Sequence, residues 1–146
     1  MHRIRTEAWI PARPEQVWAV LADFARYPDW NPLNLEAVGE AKVGARVAMV
    51  FRNLPGKPGS LIRQTVRIVA VEPARELAWA GNVPLIFKGR HGFLLTPEGS
   101  GTRVVHTESL SGLLPATWSA VRVARDFVPA YEAVNTALAA RIAGLG

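Results

Sequence analysis

Apolar and polar positions alternate from the start of the chain. Ile4, Thr6, Ala8 and Ile10 fall on one side and Arg3, Arg5, Glu7 and Trp9 on the other, which predicts a strand over residues 2–10, ended by Pro11. Pro14 suits the first turn of a helix, where its missing N–H costs nothing. Val17, Trp18, Val20, Leu21 and Phe24 supply the apolar face of that short helix, with Glu15 at its positive end and Asp23 near its close. The segment 24–32 carries two prolines among Phe24, Tyr27 and Trp30 and reads as a compact turn or second short helix. Period two then returns: about six strands are expected after the helices, of which five are placed, at 45–52, 61–72, 75–80, 84–96 and 102–110. Pro55–Gly59 forms a loop and Pro97–Gly101 a hairpin turn. After Gly112 the period lengthens to about 3.6, with Leu114, Trp118, Val121, Val128, Tyr131, Leu138 and Ile142 on one stripe of a long helix that Pro129 should kink.

This order predicts an α+β fold in which an antiparallel sheet buries its apolar face against one long C-terminal helix. The 146 residues, 49% of them apolar, suit a single domain spanning 1–146 without a linker. No run of about 18 uncharged apolar residues is present, and Met1–Arg5 lacks the apolar stretch of a leader, so a cytoplasmic protein without stable membrane insertion is expected. The absence of cysteine excludes disulfides, thiolate metal sites and a cysteine nucleophile. The net charge of +5 would suit a polyanion, but the arginines are scattered from Arg3 to Arg141 with no dense run. A solvated surface is expected rather than a nucleic-acid partner, and nothing in the pattern opposes a homodimer.

Ile10-Pro11-Ala12 through Pro14-Glu15-Gln16-Val17-Trp18, then Leu21, Asp23 and Tyr27-Pro28-Asp29-Trp30-Asn31-Pro32, form one set of landmarks. Leu77-Ala78-Trp79, Phe87-Lys88-Gly89-Arg90-His91-Gly92-Phe93, Gly101-Thr102-Arg103 and Glu108-Ser109-Leu110-Ser111-Gly112-Leu113-Leu114 form another. In this order and spacing they resemble the START/Bet v 1-like (SRPBCC) superfamily, in particular its polyketide cyclase/dehydrase-like branch. The resemblance implies a helix-grip fold, a curved antiparallel sheet wrapped round a long C-terminal helix. It also implies a deep cavity between the two, open near Pro55–Gly59 and Gly81–Pro84, with the carboxylate of Glu108 pointing inward.

Alternation places His106 and Glu108 on one face of a strand, and Gly89, His91, Phe93 and Leu95 on one face of the strand joined to it by the hairpin. His91, His106 and Glu108 are therefore the candidates for acid–base chemistry. Mutual satisfaction of Glu108 and a histidine within the sheet is the alternative, since a buried carboxylate needs a partner. Phe51, Trp79 and Phe93 are candidate wall residues, with ordinary core packing as the competing reading, while Trp18 and Trp30 are assigned to packing. Tyr131 and Asn135 lie four apart on the helix stripe and bring polar ends toward the sheet.

No metal site is expected, because His91, His106 and Glu108 lack a ligand spacing such as His-Glu-x-x-His. No cofactor is expected either, because no Gly-x-Gly-x-x-Gly opens a helix, and Gly99-Ser100-Gly101 is a turn rather than a nucleophile elbow. Three functions follow as expectations. The first is binding of a small hydrophobic molecule (lipid, isoprenoid or polyketide-like) by Phe51, Trp79, His91, Phe93, His106, Glu108, Tyr131 and Asn135. The others are an aromatase, cyclase or dehydratase using the same His and Glu groups, and a co-chaperone-like interaction module.

Overall fold

A computed structural model describes residues 1–145. The strands are β1 (His2–Ile10), β2 (Asn34–Val38), β3 (Arg46–Arg52), β4 (Leu61–Glu72), β5 (Glu76–Val83), β6 (Phe87–Glu98) and β7 (Gly101–Ser111). They form one sheet in the order β1-β7-β6-β5-β4-β3-β2, every neighbour antiparallel. Helices α1 (Pro14–Leu21) and α2 (Tyr27–Trp30) carry the chain from one edge of the sheet to the other, and α3 (Ala120–Leu145) packs against β1, β7 and α1. The expected fold class is therefore observed: a curved antiparallel sheet gripping a long C-terminal helix.

Each element follows from its residues. Arg13 caps α1, its backbone N–H donating to Gln16 Oε1 at 2.9 Å, and Pro14 occupies the first turn. Tyr27 is fully buried and its hydroxyl donates to the Leu21 carbonyl at 2.7 Å, which locks the α1–α2 corner over the end of the sheet. In α3 the buried face consists of Val123, Phe127, Tyr131, Val134, Asn135, Leu138 and Ile142. Burying that many large apolar groups gives on the order of 10 kcal/mol gross, enough to outweigh the ~3 kcal/mol cost of an interior proline. Pro129 accordingly sits on the exposed side within one continuous helix.

The structure corrects three expectations. The long helix starts at Ala120, because Ser119 caps it (Arg122 N–H donates to Ser119 Oγ at 3.1 Å) after a single 3₁₀ turn at Pro115–Thr117. Leu114 and Trp118 thus precede the helix, and Val121 points to solvent, because the buried stripe is phased on Val123 and Phe127. Strand β2 has no counterpart among the predicted strands; a bulge between Asn34 and Glu36 breaks its alternation. Residues 84–86 belong to a turn, so β5 runs on to Val83 and β6 begins at Phe87.

That turn has an unusual residue at its tip. Ile86 N–H donates to Val83 O at 3.0 Å, Pro84 occupies the second position, and Leu85 has φ +66°. This is the geometry of a type II turn, whose third position favours glycine. A leucine there costs about 1–2 kcal/mol of local strain. Leu85→Gly is therefore expected to raise stability by up to about 1 kcal/mol, the relieved strain exceeding the added chain entropy. Comparing denaturation midpoints checks this, and a clear loss of stability would refute it.

Candidate functional site

The register of the hairpin lays the site out in rows across the sheet. Glu98 pairs with Gly101 around the Gly99-Ser100 turn, which sets His91 opposite Glu108 and Phe93 opposite His106. Trp79 on β5 continues the first row beside His91, and Thr6 on β1 continues the second beside His106. All six side chains are buried on the concave face, where α3 lays Tyr131 and Asn135 over them.

The polar groups join into one series. Asn135 Nδ2 donates to Thr6 Oγ1 at 2.9 Å, and Asn135 Oδ1 meets His106 Nδ1 at 3.0 Å. His106 Nε2 lies 2.6 Å from His91 Nε2, and His91 Nδ1 lies 2.7 Å from Glu108 Oε2, to which the Tyr131 hydroxyl donates at 3.1 Å. Aromatic faces hold the rings in place. Trp79 stacks on His91 at 4.7 Å and 5°, and His106 lies between Phe93 at 4.2 Å and Tyr131 at 4.6 Å.

The direction of these bonds fixes a proton count. With the Asn135 oxygen toward His106, His106 carries its proton on Nδ1 and accepts at Nε2 from His91 Nε2–H. The short His91 Nδ1–Glu108 contact then requires one further proton between imidazole and carboxylate. Turning the Asn135 amide over reverses the Thr6–Asn135, Asn135–His106 and His106–His91 bonds, so that His91 Nδ1–H donates to Glu108 and no additional proton is needed. Burial, followed by the neighbouring His91, holds the His106 pKa well below the usual histidine value, so His106 is neutral. Burial and then the Glu108 carboxylate push the Tyr131 phenol well above its usual range, so it remains a donor.

Beside this series lies a cavity of about 120 Å³. Of the eight residues predicted for ligand binding, Phe51, Trp79, His91, Glu108 and Tyr131 line it, while Phe93, His106 and Asn135 stand behind them as the supporting layer. Glu108, His91 and Tyr131 form the cavity's polar corner; Phe87, Trp118, Phe127, Leu33, Val66 and Leu110 contribute apolar wall. Gly89 keeps the corner open, since a Cβ there would come within 2.9 Å of Glu108 Oε1 and 3.0 Å of the Phe87 ring. Sequence reasoning missed Gln64, although it stands between Ile62 and Val66 on a face that alternation turns inward. It also missed the wall role of Trp118, which depends on the break before α3. The mouth meets the Pro55–Gly59 loop as expected, and Arg122 Nη2 of α3 donates to the Pro55 carbonyl at 2.8 Å across it. Among the described residues no group of three His, Asp or Glu side chains has the geometry to hold a metal ion, and no helix is long and apolar enough to cross a membrane.

The fold is shared widely. A START superfamily protein from Mycobacterium smegmatis superposes with a TM-score of 0.80 at 16% identity, covering 100% of both chains. A protein from Thermus thermophilus gives 0.78 at 20% identity over 99% of each chain. The di-domain aromatase/cyclase StfQ of the steffimycin biosynthetic pathway gives 0.72 at 16% identity, covering 98% of this chain and 50% of that one. No curated protein sequence matches the chain. The sequence profile described as "Polyketide cyclase / dehydrase and lipid transport" matches residues 1–143. With the fold and the near-complete match in agreement, the chain belongs to this polyketide cyclase-like branch of the START/Bet v 1-like superfamily.

Proposed function

We propose that the cavity binds a small, mostly apolar molecule carrying one hydrogen-bonding group, which sits against Glu108, His91 and Tyr131. The observation that carries this reading is the contrast within the cavity: aromatic and aliphatic walls surround the Glu108–His91–Tyr131 corner, with Arg52 and Gln64 the other polar side chains of the lining. A volume of about 120 Å³, somewhat below the ~150 Å³ of engineered apolar cavities that take up benzene, suits a molecule no larger than one ring. Larger lipid, isoprenoid or polyketide-like molecules would require the Pro55–Gly59 loop to move. Native mass spectrometry of freshly purified protein, beside a denatured sample, tests the reading. A species released only on unfolding is expected. Glu108→Gln and Tyr131→Phe should each weaken its rebinding about tenfold, the equivalent of one good hydrogen bond. A protein that arrives empty and takes up no aromatic, sterol or fatty-acid probe would overturn it.

A second reading, acid–base catalysis of a cyclisation or dehydration, is supported by the 2.7 Å His91–Glu108 contact with its intervening proton. In that case Glu108→Gln abolishes turnover while binding persists. A co-chaperone-like interaction module would instead leave partner binding intact in both cavity variants.

A further inference from the structure

We infer that the mouth of the cavity docks on an anionic lipid bilayer through an apolar knuckle built from the β5–β6 turn and the β7–α3 connection. Two backbone bonds zip these segments together: Leu113 N–H donates to Leu85 O and Leu114 N–H to Ile86 O, each at 3.0 Å. Gly112, at φ +112°, allows the close approach, because a Cβ there would meet Ile86 O at 2.6 Å. The four outward side chains of the zipped pair are all large and apolar. Leu85 is 84% exposed, Leu113 65%, Leu114 48% and Ile86 45%.

Isolated surface leucines are commonplace; a contiguous cluster on a rigid double turn is not. Leu85 also occupies a strained position in which a glycine would relax the backbone, so the exposed side chain is kept against local conformational preference. The cluster adjoins the cavity, since Phe87 and Trp118, which follow the two segments in the chain, both line it.

Charge identifies the occupant. No Asp or Glu occurs between Ala41 and Val71, between Val83 and Pro97, or between Ser109 and Arg125. These stretches include the two zipped segments and the Pro55–Gly59 loop. They carry exposed Arg52, Lys57 and Lys88, none of which enters an ion pair among the described residues. The one acid beside the Pro55–Gly59 loop, Asp126, is paired with both Arg122 and Arg125, so basic charge remains in excess there. Apolar side chains together with an excess of basic ones match the boundary between acyl chains and anionic headgroups, where apolar burial and electrostatic attraction add. This goes beyond the ligand reading and stands apart from it, because docking is measured with no ligand added.

Co-sedimentation of the full chain with phosphatidylcholine vesicles, and with vesicles also containing phosphatidylglycerol, tests the inference. Binding to the anionic vesicles is expected, weakened by salt and by Lys57→Glu/Lys88→Glu. Leu85→Asp/Leu113→Asp should reduce it at least about tenfold. Leu85→Gly should weaken it while melting no lower than the parent, which separates docking from folding. Glu108→Gln should leave it unchanged, so the cavity reading can fail while this one survives. Indifference of the parent protein to both vesicle types would overturn the inference. So would equal vesicle binding by the aspartate variant. A concentration-dependent dimer that forms without lipid and is lost in the aspartate variant would reassign the knuckle to a second copy of the chain.

Discussion

Replacing Asn135 with leucine should lower the free energy of unfolding by about 2–5 kcal/mol, although leucine is apolar, similar in size and a better helix former. The side chain it replaces is buried and joins two other buried groups, donating to Thr6 Oγ1 and accepting from His106 Nδ1–H. Leucine leaves both without that partner at about 1–3 kcal/mol each, and Thr6 keeps only a 3.4 Å bond to the His106 carbonyl. Asn135→Asp should cost less, since it retains the acceptor toward His106 and the Thr6 hydroxyl can reverse to donate. Chemical denaturation of the three proteins gives the ranking. Leucine equal to the parent would mean the polar series contributes nothing to fixing α3 on the sheet.

Acidification should destabilise the protein from about pH 6.5 downward, with His106 as one identifiable source. Burial lowers the folded-state pKa of His106, so below the unfolded value the unfolded chain binds the extra proton and gains stability relative to the folded one. This part of the stability is fully present above pH ~6.5. Between pH 7 and pH 5 a histidine kept neutral by the fold accounts for a loss of about 2 kcal/mol. His106→Gln removes the titrating group, and the slope of unfolding free energy against pH should flatten by the corresponding amount, whatever the variant's absolute stability. Parallel slopes for parent and variant would refute the assignment.

Much of this arrangement was legible from strand alternation. Period two put His106 with Glu108, and His91 with Phe93, on shared faces, the family resemblance turned the Glu108 face inward, and the Gly99-Ser100 turn sets the register that brings them together. Tyr131, Leu138 and Ile142 were correctly placed on the buried side of α3 because each recurs at helical spacing. Val121 and Leu114 were misplaced for a local reason. Ser119 restarts the chain as a helix after a 3₁₀ turn, so a stripe counted from Leu114 is out of phase. Alternation also does not tell wall from support. His106 and Glu108 face the same way on one strand, yet only Glu108 lines the cavity, because α3 covers His106 with Tyr131 and Asn135. That distinction comes from helix placement, which strand periodicity does not contain.

The hydrogen bond from Arg122 to the Pro55 carbonyl bears on rates rather than on affinity. It ties the Pro55–Gly59 loop to the long helix packed on the sheet, so on the proposed ligand-binding reading a molecule larger than the resting cavity that enters past this loop waits for that tie to open. Uptake of such molecules should then saturate at high concentration at the opening rate of the loop and fall below ordinary diffusive encounter. Residence time would be set by the same step, so that a bulky occupant could be retained for long periods without being bound tightly.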